Sequence, residues 1–539
     1  MHKRLFLYLL TLIFLIPLKA QDHQQSYESI DVLSYHFLIN LFDTTDEIIG
    51  IADIDIAFKK DVEQFQLDLT GERGDSLGMN VESVTEDDHN VSYLLQDDHI
   101  ILNIPKAQKG THRRYRISYR GIPADGLIIS KNKFGDRTFF GDNWPNRGHN
   151  WLPMVDHPSD KALVEFDVAA PDHYRVVSVG QKLDETKMGD RIVTRWKTSV
   201  PISTRLMVIG VSPFAVDYLK SQSGVPVSSW VYPQNRHEGF SDYSIVTRPL
   251  DFFESYIAPY PYQKLANVQS KTVYGGMENA SCIFYNERTV NGRQNNENLF
   301  AHEIAHQWYG DGVTELDWHH IWLSEGFATY LTDIYIEHAH GHDAMVASMQ
   351  NERNRVIRFA HQRLAPIVDT TLPVSIRLLN RNSYQKAGWV LHMLRHEMGD
   401  DLFRQCVRAF YEKFKFSNAL TCDFQQVVDS ITEKNHDAFF QQWFFQKGHP
   451  VLSSAWKQED QKLELTIRQH QEQFIFEFPL EVKVSGSEGK SIMYSLDILS
   501  AEQTFFLDLP FEAKEIRLDP GTWLLYEPYE SGNSSRPPG

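Results

Sequence analysis

From Tyr27 to Tyr218 apolar and polar residues alternate with a period of two. Ile51-Ala52-Asp53-Ile54-Asp55-Ile56, Phe65-Gln66-Leu67-Asp68-Leu69, Tyr115-Arg116-Ile117-Ser118-Tyr119 and Val164-Glu165-Phe166-Asp167-Val168 all follow it. Successive side chains of a strand point to opposite faces, so these runs predict half-buried strands; the Gly, Asp, Asn and Pro clusters between them predict turns. An all-β domain is expected over residues 21–218. The period changes near Asp242. Residues 244–257, 296–309, 322–339, 343–361 and 384–397 carry helical spacing, which makes 219–448 the one strongly helical block. After Gly448-His449-Pro450 alternation returns in 463–467, 474–478 and 480–484, predicting a small β-sandwich over 449–528. The tail, 529–539, has no large apolar residue from Ser531 onward and is expected to be disordered. The expected fold class is α+β and multidomain.

The first residues add a destination. His2-Lys3-Arg4 is basic, Leu5 to Leu18 is largely apolar, and the small residue Ala20 precedes Gln21. That layout is a secretory signal peptide over residues 1–20. A membrane anchor needs about 20 apolar residues; this run is shorter and is broken near its end by Pro17. An exported protein, periplasmic or extracellular, without stable membrane insertion is expected. Cys282, Cys406 and Cys422 allow at most one internal bridge. Three buried thiols are expected, with a Cys406–Cys422 bridge left open. The balance of 53 basic against 71 acidic residues, net −18, offers no basic field for phosphates and speaks against a nucleic-acid partner.

The chemistry concentrates in Ala301-His302-Glu303-Ile304-Ala305-His306-Gln307-Trp308-Tyr309-Gly310. His302 and His306 are four apart, so on a helix their imidazoles share one face, where a single tetrahedral zinc can take both. Glu303 lies about a third of a turn round from His302. It is too close in sequence to share the metal, yet it can reach a metal-bound water. Gly310 is the expected helix stop. Two imidazoles leave the metal short of ligands. After 18 further residues comes Glu325, in Trp322-Leu323-Ser324-Glu325-Gly326-Phe327-Ala328, at the start of a second helical pattern. A carboxylate there completes a His2Glu site with one position open. His319 and His320 compete for that place, but no partner has ligand spacing to them; they are read as loop residues or as supports of the ligands.

These motifs resemble the gluzincin aminopeptidases of the M1 family. The spacing from His306 to the Glu of Trp-Leu-Ser-Glu-Gly-Phe-Ala-Thr-Tyr is one likeness. Gly275-Gly276-Met277-Glu278-Asn279 is similar to the family's exopeptidase signature, and Asn279 lies 23 positions before His302. Tyr384-Gln385-Lys386 is similar to its Tyr-x-Lys segment. Phe252-Phe253-Glu254 with Pro259-Tyr260-Pro261-Tyr262, and Gln446 to Pro450, are weaker echoes. The resemblance runs from about Asp31 to the C-terminal β region. It implies a saddle-like N-terminal β domain, a thermolysin-like, mainly helical catalytic domain and a small C-terminal β-sandwich. The large helical C-terminal domain of most members is not expected, so the cleft should be more open.

The resemblance also implies one zinc per chain, held by His302, His306 and Glu325, and peptides with a free N-terminus as substrates. Glu303 would act as general base toward a metal-activated water. Tyr384 would donate to the developing oxyanion. Glu278 would bind the substrate α-ammonium, and Gly275 and Gly276, without side chains, would let an extended peptide approach; Met277 and Asn279 complete the segment. Several positions depart from the pattern. Ala387 stands where a Gly usually follows the motif Lys, Ser324 where an Asn usually precedes the third ligand, and Leu379 where epoxide-hydrolysing members carry Tyr. A second amine-binding acid is not evident; Trp144 falls at its place, and Asp142 is the nearest substitute. A non-catalytic scaffold of the same fold is opposed by the complete ligand set and base. An endopeptidase is opposed by Glu278, whose carboxylate an internal peptide would leave unpaired.

Overall fold

The computed structural model describes residues 28–74 and 76–529. The expected signal peptide and the expected disordered tail beyond Tyr529 lie outside the described residues. Among the described residues no helix is long and apolar enough to cross a membrane.

The N-terminal region is built of strands. Ile48–Phe58 alternates buried and half-buried positions along its whole length. Its inward Ile54 and Ile56 are fully buried. Its outward Asp53 and Asp55 face Arg116 and Arg114 across the antiparallel register with His112–Ile122, in two-pronged hydrogen bonds of 2.6 to 2.8 Å. Opposite charges on facing positions fix this register, since a slip of one residue would turn the isoleucines outward. Both strands belong to a nine-stranded sheet in which Ile30–Asn40 runs parallel to Lys161–Pro171. A four-stranded and a three-stranded sheet complete the region.

The middle block carries the helices α1 (Arg236–Tyr243), α2 (Thr247–Tyr256), α3 (Glu297–Ala305), α4 (Trp322–His340), α5 (His342–Gln362), α6 (Ala387–Met398), α7 (Asp400–Phe414) and α8 (Thr421–Thr432). α4 is buried at every position from Trp322 to Ile336, its polar Ser324, Glu325, Thr329, Thr332 and Asp333 included. It is the axis of the block, packed against α3, α5 and α6. Gly326 allows the closest approach: a Cβ there would stand 2.6 Å from that of Ala387. The methyl of Ala387 therefore fills space that Gly326 leaves.

The same block holds a five-stranded sheet that the alternation does not announce. Pro226–Val231, Leu265–Ser270 and Cys282–Asn286 are parallel neighbours in it. Leu265–Ser270 is buried at all six positions, and a strand covered on both faces has no polar alternation to show. Ala215–Lys220 pairs with Pro226–Val231, so the change of sheet falls before Ala215 rather than at residue 218.

The C-terminal region has a four-stranded and a three-stranded sheet. Leu463, Leu465 and Ile467 of one and Leu480, Val482 and Val484 of the other are buried in a common core. The alternating stretch 474–477 is not a strand; the strand begins at Phe478. Two glutamines replace the missing ladder. Gln469 accepts from the Phe476 amide at 3.1 Å and donates to the Phe476 carbonyl at 2.7 Å. Gln442, from the helical block, does the same for Glu477 at 2.7 and 2.9 Å. Replacing Gln469 by Leu strands a buried amide and carbonyl, so Gln469→Leu should lose about 1–3 kcal/mol in denaturant unfolding.

All three cysteines are free. Cys282 and Cys406 are buried as expected, but Cys422 is exposed, near the start of α8. The open question of a Cys406–Cys422 bridge is answered in the negative.

Candidate metal centre and active site

α3 is shorter than its periodicity suggests. It ends at Ala305 with His306 as its cap, and the chain then turns: the Asp311 amide donates to the His306 carbonyl at 3.0 Å. Gly310 is not the helix stop but the corner of that turn, at φ +121°. A Cβ there would lie 2.4 Å from Ser324 Oγ and 2.9 Å from His306 Nδ1, so only Gly lets the corner close onto the imidazole.

This geometry brings the expected ligands together. His302 Nε2 and His306 Nε2 face each other at 3.1 Å. Glu325, in the first turn of α4, places Oε2 at 3.4 Å from the former and 3.3 Å from the latter. His306 Nδ1 lies 3.0 Å from the Tyr309 carbonyl. That acceptor assigns the proton to Nδ1 and leaves the Nε2 lone pair pointing into the site. Ser324 Oγ lies 3.1 Å from the same Nδ1, so the serine that departs from the family pattern still reaches the ligand.

The donor set fits a zinc ion. Three acceptor atoms converge within 4.8 Å of one another, and Glu325 Oε2 is buried without a hydrogen-bond partner. Burial opposes charge on His306, yet the carboxylates of Glu325, Glu278 and Glu303 push its pKa up to about 10. The field at this point calls for positive charge, and two imidazoles with a carboxylate suit zinc.

Around this centre stand the other expected residues. Glu303 is buried, and its carboxylate rests on Gly276, where a Cβ would meet Oε1 at 2.3 Å. Burial raises its pKa well above the carboxylate range; His306 opposes the shift, and Glu278 and Glu325 add to it. Gly276 and Met277 form a short strand against Cys282–Asn286, and Glu278 follows it. Glu278, Glu303 and His306 also place ligand atoms within 4.8 Å of one another. Gly275 has open space, its nearest neighbour to a Cβ being Leu299 at 3.6 Å. Met277 is buried, and Asn279 is fully buried with both side-chain amide atoms unpartnered. Tyr384 sits on a single π turn, Asn382–Lys386, its ring stacked 6.0 Å from that of His302. Burial, the charge of Glu325 and a hydrogen bond to it keep the hydroxyl protonated, so it remains a donor.

Other residues are not brought to the centre. Asp142 is fully buried; Arg147 donates to it at 2.6 Å, the Thr272 hydroxyl at 3.1 Å and the Val273 amide at 3.3 Å. With these partners it does not replace the second amine-binding acid. Trp144 packs edge-on against Tyr274 and Trp318 instead. His319 is held by Asp317 and the Leu372 carbonyl, and His320 lies against Thr421; neither supports a ligand.

Two residues of the site gave no motif. Gln307 Nε2 donates to the Glu278 carbonyl at 2.7 Å and to Asp311 at 2.8 Å, while its Oε1 accepts from the Ser281 amide at 2.7 Å. It ties the Glu278 segment to the metal helix. Arg205 comes from the N-terminal region and lies beside Glu278. Its signal in the sequence is a lone arginine ahead of the apolar run Leu206-Met207-Val208-Ile209.

Residues 31–206 match the Peptidase M1 N-terminal domain and residues 242–443 the Peptidase family M1 domain. Glutamyl aminopeptidase of Rattus norvegicus is 28% identical over 333 residues, 59% of this chain and 35% of that protein. Probable aminopeptidase 2 of Sulfurisphaera tokodaii is 23% identical over 501 residues, 84% of this chain and 62% of that protein. Aminopeptidase M1 of Arabidopsis thaliana is 27% identical over 337 residues, 60% of this chain and 38% of that protein. The chain spans less than two thirds of the length of each of these relatives. With both domains matched in order, and with the ligand set on α3 and α4, the chain belongs to the M1 peptidase family.

Proposed function

We propose that this chain is a zinc-dependent aminopeptidase that hydrolyses the first peptide bond of peptides with a free N-terminus. The observation that carries the reading is the sharing of His306 by two groups. His302, His306 and Glu325 form one, and Glu278, Glu303 and His306 the other, each within 4.8 Å. A carboxylate able to hold an ammonium therefore lies about one residue's reach from the centre that cleaves. That is the ruler an exopeptidase needs.

Zinc held by His302, His306 and Glu325 would supply a Lewis acid for the scissile carbonyl and a water acidic enough to attack at neutral pH. Glu303, as the carboxylate, takes the proton of the attacking water, and burial strengthens its affinity for that proton. The Tyr384 hydroxyl donates to the carbonyl oxygen as negative charge develops there. Glu278 pairs with the α-ammonium and sets the register, while the open face at Gly275 gives the peptide backbone room.

The same reading takes the two C-terminal sheets as a β-sandwich, the N-terminal region as a saddle, and the basic-apolar leader as an export signal. Aminoacyl anilides should be cleaved at least about a hundredfold faster, in kcat/KM, than their N-acetylated forms, because acetylation removes the charge and leaves Glu278 unpaired. Comparable rates on both would refute the exopeptidase reading.

A further inference from the structure

Arg205 sits in the turn Thr204–Leu206, where the N-terminal region meets the catalytic block. It is 1% exposed. Its guanidinium is fixed on three sides. Nη2 donates to the Gly310 carbonyl at 2.9 Å and lies 3.5 Å from Glu315 Oε2, and the ring of Trp318 faces the guanidinium carbon at 5.6 Å. Burial alone would weaken its hold on the proton, but the carboxylates of Glu315, Glu278, Asp311 and Glu325 strengthen it. On the fourth side Nη1 stands 3.6 Å from Glu278 Oε1.

That last distance is informative. It is too long for a hydrogen bond, and neither Nη1 nor Glu278 Oε1 has another partner. It is short enough for strong attraction in a site closed to water. Glu278 needs such an anchor, because three further acids, Glu303, Asp311 and Glu315, interact with its charge in the same buried site. Its main chain is already held, through the bond from Gln307 to its carbonyl. Asp142 is engaged elsewhere, so the direction of this one carboxylate decides how well an ammonium is received.

We propose that Arg205 is a positioning residue of the amine subsite: it holds the Glu278 carboxylate in place by charge, without consuming the lone pairs that a substrate ammonium must occupy. The inference rests on the aminopeptidase reading. A planar fork locked by a carbonyl, a carboxylate and an indole can do this; a lysine at the same place keeps the charge but not the fork.

The test uses the full chain with its metal. Arg205→Met, Arg205→Lys and the double variant Arg205→Met with Glu315→Gln are compared with wild type. An aminoacyl anilide gives kcat and KM, and its des-amino analogue gives an inhibition constant as a competitive inhibitor. Thermal unfolding and metal content are measured alongside. Arg205→Met should raise KM for the aminoacyl substrate about tenfold with kcat within about threefold, and leave the des-amino inhibition constant unchanged. Arg205→Lys should recover part of the loss. The double variant removes the carboxylate that Arg205→Met would leave buried alone; it should show the same selective loss even where the single variant folds poorly. An unchanged KM in folded variants overturns the proposal, and so does equal weakening of aminoacyl and des-amino ligands. A wild-type protein that does not prefer the aminoacyl compound over its des-amino analogue would overturn the aminopeptidase reading instead.

Discussion

Glu303→Gln should keep its metal and lose about three orders of magnitude in kcat, within the range that general-base catalysis contributes. The amide has the size of the carboxylate, so the contact with Gly276 survives and the peptide strand beside it stays in place. What disappears is the ability to take a proton from water. The metal ligands sit on either side of Glu303 in sequence but do not depend on it: His302 and His306 are spaced by the helix, and Glu325 enters from α4. KM should therefore change little while kcat falls, a transition-state loss of about 4 kcal/mol. Glu325→Ala provides the contrast, because it removes a ligand and should lose the metal itself. Steady-state kinetics with metal analysis separates the two. Retained turnover in Glu303→Gln would take Glu303 out of the base role.

The parts of this site that the sequence revealed are those that obey a local period. The four-residue step from His302 to His306 needs only one helical turn, and Glu325 needs only the start of another. The strands with one wet face were legible for the same reason, as in Ile48–Phe58, where alternation and burial coincide. What stayed hidden depends on contacts made across the chain. The Leu265–Ser270 strand is covered on both faces and so carries no period. The stretch 474–477 has strand alternation but is paired by two glutamine side chains, and no local rule anticipates that. Arg205 and Gln307 act through Glu278, which lies 73 and 29 positions away; only the fold puts them together. Asp142 shows the same dependence: it is an acid in the right region, but Arg147 nearby and Thr272 and Val273 from far along the chain donate to it.

Gly276→Ala should lower kcat about a hundredfold with the fold and the metal intact. The residue does not need its freedom of φ, since its backbone lies outside the left-handed region. What it provides is space. An added Cβ would stand 2.3 Å from Glu303 Oε1, 2.4 Å from Cδ and 2.5 Å from Cγ. Backbone held in a sheet cannot retreat, whereas the end of a glutamate side chain can swing. The collision is therefore relieved by moving the base, at little cost to stability. A shift of about 1 Å in a reacting group costs about 10²-fold in rate. If the loss comes through Glu303, it must vanish where Glu303 no longer acts. In a Glu303→Gln background, Gly276→Ala should add less than about threefold, giving a coupling of about 2 kcal/mol between the two positions. Additive losses would mean instead that the new methyl obstructs the peptide, and Gly276 would then belong to substrate binding alone.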